Sequence, residues 1–415
     1  MTRVENEKLQ ANEHGGSAVN DASEAADLLD VMSPALLDDA VDQRADQSAL
    51  ARMSQWQLIR RAFARHKLAV IALHALILMY VMAAFCEFVA PYTSQARDLD
   101  HQYCPPQLVR WSPSLGLYTY AMQLTVDPIT FRKTYVERYD VPIRLSFFVP
   151  GQPYRLWGFI PMQRRLFGAD PDDNAAALAR GARPTFFLLG ADKYGRDIFS
   201  RIVYGARISL SVGLIGIAIT FLLGMTIGGT SGYVGGRTDL FIQRGIEIIN
   251  SFPHLPLWIA LAAIMPQDWS ALRVYFAITV VLSLLNWTGL ARVVRGKILS
   301  LREEDYAMAA RLLGASHSRI LVRHLLPGFT SHIIVALSLS VPGMILGETS
   351  LSFLGLGLRP PIVSWGVMLQ DCMDIQAVRY YPWLLLPVVF IVTTVLSFNF
   401  VGDGLRDAAD PYSTK

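Results

Sequence analysis

The sequence is poor in cysteine and in charge. Its 415 residues include three cysteines (Cys86, Cys104 and Cys372), and so few predict free or buried thiols rather than a disulfide framework. Charged residues make up 17% of the chain, whereas soluble globular proteins carry roughly 25%. These two scarcities exclude a disulfide scaffold and argue against a soluble cytosolic enzyme.

Sequence patterns of enzyme chemistry are also missing. The chain has no G-x-x-x-x-G-K-[ST] phosphate-binding loop, so it cannot bind ATP by itself in the usual manner. It has no G-x-S-x-G or H-E-x-x-H pattern, and no His/Cys group has metal-ligand spacing. We therefore expect no catalytic residue, no metal and no cofactor in this chain.

What the chain has in excess is apolar sequence. Hydrophobic residues make up 52% of it, and the mean hydropathy is +0.33. Residues 1–50 carry eleven acidic and three basic residues, a formal charge of −8, which leaves +11 on the other 365. Much of this basic charge stands beside apolar runs, a pattern that indicates a lipid membrane as partner and no nucleic acid.

Six apolar runs predict an all-α polytopic membrane protein, because a span needs about 20 apolar residues. Between the first two runs, residues 91–190 are rich in Pro, Arg, Asp, Tyr and Trp and predict an insert facing water. Alternating residues at Tyr154–Phe159 favour strands, so this insert admits mixed α/β structure. The predicted spans are 68–90, Ile208–Tyr233, Ile246–Met265, Val274–Ala291, Pro327–Leu354 and Trp383–Val401.

The remaining segments complete the domain plan. Residues 1–50 predict a disordered acidic tail, since they have too few apolar residues to bury. Residues 51–67 predict an amphipathic segment at the membrane surface, with Trp56 at the interface. Residues 191–411 form the core with five of the spans, and 412–415 are a short end.

Basic residues flank the spans unevenly and so predict the orientation. Four of them (Arg60, Arg61, Arg65 and Lys67) precede the first span, which places the N-terminus in the cytoplasm by the positive-inside rule. Six spans then place the C-terminus in the cytoplasm and the insert outside. The segment between the fourth and fifth spans is predicted inside, and it carries seven basic residues: Arg292, Arg295, Lys297, Arg302, Arg311, Arg319 and Arg323.

This basic segment also predicts a docking site. Helix formers at Tyr306–Leu313 are followed by Gly314, a residue suited to end a helix in the left-handed conformation, and Ala315–Leu326 resumes a helical pattern. Two short helices around a glycine would make a rigid knob with Ala309 and Ala310 exposed, suited to hold a partner. A solvated basic loop that only sets topology is the alternative.

The segment resembles the EAA motif of bacterial ABC importer permeases, E-A-A-x3-G-x9-I-x-L-P, in Ala309, Ala310, Gly314, Leu326 and Pro327. Met308 stands at the family's Glu position and His324 at its Ile position. Further stretches resemble the second permease of oligopeptide, dipeptide and nickel importers. They are Leu189–Arg201 (LGTDxxGRDxFSR), Ile202–Leu210 (IxYGARxSL), Gly232–Asp239 (GYxGGxxD), Ser251–Pro253 (SFP), Leu351–Gly357 (LSFLGLG), Ser364–Gly366 (SWG) and Gly402–Asp407.

The resemblance implies partners and roles. It implies a homologous permease subunit, two ATP-binding subunits with one docked on the coupling loop 303–327, and a periplasmic substrate-binding protein that delivers a small solute such as a peptide. It implies a bacterial inner-membrane location and an alternating-access cycle, with ATP hydrolysed in the separate subunits. The residues that we expect to couple the loop to the ATPase are Tyr306, Ala309, Ala310, Gly314, Ile320, Leu321 and Pro327.

Three intramembrane residues remain candidates for the solute path. Pro253 and Pro256 each remove a backbone hydrogen bond from a span, which predicts either a hinge or channel-lining kink or a kink without function. Glu348 is a candidate channel residue, although its place near the end of a run favours an interfacial position. The alternatives left open are a secondary transporter or channel that works without ATP, and a membrane-bound enzyme or receptor acting through the insert.

Overall fold

The computed structural model describes residues 54–126, 128–129, 133–266 and 268–409. The predictions for residues 1–50 and 412–415 lie outside them. The helices are α1 Gln55–Arg65, α2 Lys67–Ala84, α3 Cys86–Val89, α4 Ala175–Ala179, α5 Ile198–Val234, α6 Gly236–Ser251, α7 His254–Ala263, α8 Ala271–Leu301, α9 Asp305–Leu312, α10 His317–Arg319, α11 Thr330–Phe353, α12 Trp365–Leu369, α13 Ile375–Tyr380 and α14 Leu386–Ala409. The strands are β1 Arg110–Ser112, β2 Gly116–Val126, β3 Lys133–Arg144, β4 Ser146–Phe147, β5 Pro150–Leu156, β6 Ile160–Arg164 and β7 Phe167–Gly168.

Apolar helices dominate the described chain. Five helical segments are long and apolar enough to cross a membrane: Lys67–Ala84, Ile198–Val234, Ala271–Leu301, His317–Phe353 and Pro382–Ala409. The bent pair α6–α7 makes a sixth if it is counted as one span. The predicted helical polytopic fold is therefore confirmed, and the count of six depends on that pair.

Several helices are longer or shorter than the predicted spans, and two of the differences have a clear local cause. The first span ends at Ala84 rather than at residue 90, because Phe85 leaves helical geometry and the separate turn α3 follows. The helix that contains the second predicted span, α5, begins at Ile198, ahead of Ile208. Its start is fixed by Asp197, whose side chain accepts a hydrogen bond from the amide of Ser200 at 2.7 Å, as an N-cap does.

The third span is broken, and the break follows from its prolines. α6 and α7 meet at an angle of 83°. Pro253 stands at the N-cap of α7, and Pro256 lies in the first turn of that helix, where a missing N–H costs little. The predicted bend is confirmed, and Trp258 of α7 is buried in a cluster that also holds Leu282 of α8.

The long helix α5 packs through its small residues. A Cβ built on Gly228 would lie 2.4 Å from the carbonyl oxygen of Ala291 in α8, and one on Gly213 would lie 3.0 Å from Val341 in α11. Close approach of this kind is the usual role of small residues between membrane helices. The buried glycines of α5 therefore serve helix packing.

The insert is built mainly from strands. β1, β2 and β3 form an antiparallel sheet, in which Tyr118 pairs with Arg144 and Val126 with Lys133, and two short two-stranded pairs, β4–β7 and β5–β6, follow. The expectation of mixed structure is confirmed, since the helix α4 accompanies seven strands in these residues. Arg165 fixes the insert to the end of the first span: it donates to the carbonyl oxygen of Glu87 at 2.6 Å and is 1% exposed.

The three cysteines are free thiols, as the composition predicts. Cys86 and Cys104 are buried, and Cys372 is partly buried. Cys104 and Cys372 are therefore not joined in this structure.

Candidate functional site

The loop 303–327 forms two short helical segments around a glycine turn, as predicted. α9 ends at Leu312, and Gly314 adopts φ +78°, the left-handed conformation that closes a helix. The amide of Gly314 donates to the carbonyl of Arg311 at 3.0 Å, and the amide of Ala315 donates to that of Ala310 at 3.1 Å. Local sequence chemistry thus sets the shape of the loop.

One face of this loop is buried against the helical bundle. Ala307 and Ala310 of α9, three residues apart and hence on one helix face, pack in a cluster with Ile298, Ile320 and Phe329. The expectation that Ala310 is exposed is wrong, because its side of α9 faces this cluster. Ala310 and Ile320 therefore hold the loop on the ends of α8 and α11.

The opposite face presents apolar side chains to the surroundings. Ala309 is exposed, as expected, and Tyr306 is 44% exposed. Leu312 and Leu313 are 89% and 88% exposed at the tip of the loop, and the sequence interpretation overlooked them. Two leucines directly before a helix-ending glycine are the signal that could have identified them. A cluster of exposed apolar residues on a basic loop is typical of an interaction surface.

The other predicted coupling residues lie beside this surface. Gly314 is exposed in the turn, Leu321 is half-buried near Gly229 of α5, and Pro327 is exposed where a short 3-10 turn begins. The structure thus sorts the predicted set into an exposed group (Tyr306, Ala309, Gly314 and Pro327), a buried pair and the half-buried Leu321. Their coupling role stays a prediction.

Tyr233, at the end of α5, positions both parts of the loop. Its hydroxyl lies 3.1 Å from Nδ1 of His317, and the guanidinium of Arg311 lies 5.9 Å from the centre of its ring. Because Arg311 is in α9 and His317 begins α10, one aromatic side chain contacts both sides of the glycine turn. Sequence analysis missed this residue, since the pairs are distant in the chain.

An ion pair links three helices next to the loop. Asp239, in the first turn of α6, accepts hydrogen bonds from Nε and Nη2 of Arg295 in α8 and from the hydroxyl of Ser231 in α5. Arg302 donates to the carbonyl oxygen of Gly232 at 3.1 Å. The stretch Gly232–Asp239, one of those that carry the family resemblance, therefore fixes the ends of α5, α6 and α8.

Glu348 is the centre of a buried polar group in α11. Its Oε1 accepts hydrogen bonds from the hydroxyls of Ser352 and Ser364, both at 2.8 Å, and its Oε2 accepts one from Ser209 at 3.2 Å. Its exposed fraction is 0%, so the carboxyl is enclosed between helices and does not reach the surface of the chain. Its depth in the membrane stays a prediction. Its assignment to a channel stays a prediction.

The same three serines organise the chain between α11 and α12. The oxygen of each hydroxyl also accepts a hydrogen bond from a backbone N–H. Glu348 is therefore linked to residues 354–369 through Ser209, Ser352 and Ser364. We call Glu348 and these three serines the serine–glutamate hub. The donating amides belong to Leu358 (to Ser352, 2.9 Å), Trp365 (to Ser209, 3.2 Å) and Val367 (to Ser364, 3.1 Å). The stretches containing these serines are three of those that carry the family resemblance.

A second buried network lies where the insert meets α5. The carboxylate of Asp192 accepts hydrogen bonds from Nε of Arg196 at 2.7 Å and from Arg201. All three residues are nearly inaccessible. Burial raises the pKa of the neighbouring Asp197 carboxyl to about 6. A single carboxylate between two guanidiniums holds the start of α5 to the preceding turn.

No group of three or more His, Cys, Asp or Glu in the described part of the chain is arranged to hold a metal ion. The described residues instead form a packed loop with an apolar outer face, together with buried polar networks that join the ends of helices. This is the arrangement of a polytopic membrane protein whose loop presents an apolar face of the kind that contacts a partner.

Two protein families match parts of this chain. Residues 211–414 match the family described as binding-protein-dependent transport system inner membrane component, and residues 54–106 match the N-terminal TM domain of oligopeptide transport permease C. The chain belongs to this permease family, and it is a permease subunit of an ABC importer. The predicted resemblance is therefore confirmed.

Several curated relatives share the core. The oligopeptide transport system permease protein OppC of Haemophilus influenzae is 42% identical over 234 residues, 55% of this chain and 73% of the relative. OppC of Escherichia coli (strain K12) is 43% identical over 59% of this chain and 79% of its own length. The dipeptide transport system permease protein DppC of Bacillus subtilis is 41% identical over 54% and 68%. Among solved structures, a chain of the MetNI methionine ABC transporter is 17% identical to this chain. The match covers 51% of this chain and 97% of the solved chain, with a TM-score of 0.39.

Proposed function

We propose that this permease imports peptides. The relatives that are 41–43% identical are named for oligopeptide or dipeptide transport, and residues 211–414, which match the family, include the loop 303–327. With a homologous permease subunit the chain would form the path across a bacterial inner membrane. A periplasmic substrate-binding protein would deliver the solute.

The loop 303–327 is the proposed docking site of one of two ATP-binding subunits, in which ATP would be hydrolysed. Seven basic residues between Ala291 and Pro327 support a cytoplasmic position for this loop. That position places both termini in the cytoplasm and the insert outside. The exposed apolar tip, Leu312 and Leu313, is the single observation that carries the proposal.

Alternating access is the mechanism that fits this arrangement. ATP-driven closure of the ATP-binding subunits would displace the loop, and its buried face would pass the displacement to α8 and α11. Such a shift requires that the partner contact the loop differently in the two states. A secondary transporter would instead need ionisable pairs along its path, and the carboxyl of Glu348 is enclosed by serines.

The test changes the apolar tip. The double variant Leu312→Asp/Leu313→Asp should no longer copurify with the ATP-binding subunits of its own system and should lose ATP-dependent uptake of labelled peptides in proteoliposomes. Leu99→Asp is the matched control, because Leu99 is 64% exposed but lies in the insert. Full copurification of the double variant would refute the docking site. If the unchanged transporter takes up other solutes but no peptide, the proposed substrate class is refuted.

A further inference from the structure

The hairpin of β5 and β6 is attached to the end of the first span. Its tip residue Trp157 donates from Nε1 to the carbonyl oxygen of Ala84, the last residue of α2, at 2.7 Å. The ring of Trp157 also lies 5.3 Å from that of Phe85. The hairpin tip therefore lies level with the point where the apolar helix ends.

A second set of contacts prevents this part of the insert from rising away from the helix. The amide of Leu166 donates to the carbonyl oxygen of Phe88 at 2.8 Å, and the ring of Phe88 lies 6.2 Å from that of Phe148. The fully buried Arg165 donates to carbonyl oxygens of the same turn. Residues 147–166 thus follow the chain that leaves the span.

Four aromatic side chains are turned outward in this region. We call Phe147, Phe148, Trp157 and Phe159 the aromatic collar; their exposed fractions are 63%, 55%, 47% and 68%. They continue the exposed apolar surface of α2, where Leu78 and Val81 are 60% and 49% exposed. A surface of this kind facing water would be unfavourable, because large aromatic rings would remain hydrated.

The charged neighbours of the collar fit the same environment. Arg155 and Arg164 are exposed on the two strands of the hairpin, and Arg164 also donates to the carbonyl oxygen of Phe148 at 3.1 Å. Tryptophan side chains such as Trp157 concentrate where acyl chains meet headgroups, and long basic side chains reach from there to phosphates. The hairpin carries both kinds of side chain.

We propose that the aromatic collar is immersed in the boundary between phospholipid headgroups and acyl chains, beside the first span. The hairpin is then a second membrane contact of the insert, and the occupant of this surface is lipid. The continuity of the collar with the exposed surface of α2 selects lipid over a protein partner. The proposal does not depend on which solute the transporter carries.

The experiment places a fluorophore on the collar in the assembled transporter. Phe159→Cys, labelled with bimane, is compared with Trp111→Cys, which lies on β1 and is 70% exposed. In phosphatidylcholine nanodiscs containing lipid with a doxyl group near the headgroup, emission at position 159 should fall about twofold, as expected for a residue at the interface. Emission at position 111 should be nearly unchanged. The chain without a substitution, treated with bimane in the same way, is the control for labelling of the native cysteines.

Equal quenching at the two positions would overturn the proposal, as would quenching at neither. Quenching at 159 in the isolated chain that disappears in the assembled transporter would also overturn it, because a protein subunit would then cover the collar. Phe148→Cys gives an independent reading if the first variant does not assemble.

Discussion

Replacing Glu348 by alanine tests the serine–glutamate hub. The change removes the acceptor of three hydrogen bonds in a site with no exposure to water. Each such bond contributes about 1 kcal/mol net, so their loss costs ~3 kcal/mol. The cavity left by the side chain adds ~1–2 kcal/mol. A total near 4–5 kcal/mol is large compared with ordinary substitutions.

Glu348→Gln is the matched control, because it keeps the volume of the side chain. Its amide oxygen can still accept from Ser352 and Ser364. Its NH2 group would face Ser209, whose hydroxyl must then donate elsewhere, so one bond is lost at a cost of about 1 kcal/mol. Ser209→Ala removes the same bond and also the acceptor of the Trp365 amide, so it should lower the unfolding temperature further than Glu348→Gln.

The assay is thermal unfolding of the purified transporter, followed by tryptophan fluorescence, together with ATP hydrolysis in the presence and absence of the binding protein. The midpoint should fall in the order original chain, Gln variant, Ala variant. Since the hub holds residues 354–369, the Ala variant should also hydrolyse ATP with less dependence on the binding protein. An Ala variant that unfolds at the original temperature would refute the reasoning from buried hydrogen bonds.

Two further predictions concern glycines. Gly314→Pro should abolish uptake while the chain still inserts, because proline cannot adopt φ +78° and lacks the amide N–H that donates to Arg311. Gly314→Asn is the control and should retain most uptake, because asparagine tolerates this conformation. Normal uptake by a well-expressed proline variant would contradict the prediction. Gly228→Ala should lower the yield and the unfolding temperature, because the new Cβ would lie 2.4 Å from a carbonyl oxygen of α8. Gly245→Ala, where nothing lies within 4 Å of the Cβ, is the control, and equal effects in the two variants would show that close packing is not the cause.

The parts of the site that follow from local chemistry could be predicted. Gly314 ends α9 because a glycine after a run of helix formers is a local signal, and the proline break between α6 and α7 is another. Exposure is harder to predict than conformation. Ala309 and Ala310 are neighbours in a motif, yet only Ala309 is exposed, since which face of α9 is buried depends on the helices that it meets.

Features made from distant segments could not be predicted. The partners of Glu348 include Ser209, which is 139 residues away, so hydropathy alone could not show that this carboxyl is enclosed. The helical turns of α5 that precede the predicted span were not recognised for a related reason. Its first turns contain Arg201, whose charge interrupts an apolar run but is neutralised in the fold by Asp192. Among the strands of the insert, only the region at Tyr154–Phe159 had a recognisable alternation.

The length of α5 has a mechanical consequence. Its 37 residues extend over about 55 Å, well beyond a hydrocarbon layer of about 30 Å. One end is clamped by the Asp192 network, and the other carries Tyr233 against the loop. A rod of this length that tilts by about 5° displaces one end relative to the other by ~5 Å. In the proposed cycle the helix would act as a lever: a small rotation at the surface that carries the loop would become an opening the width of a side chain at the opposite surface.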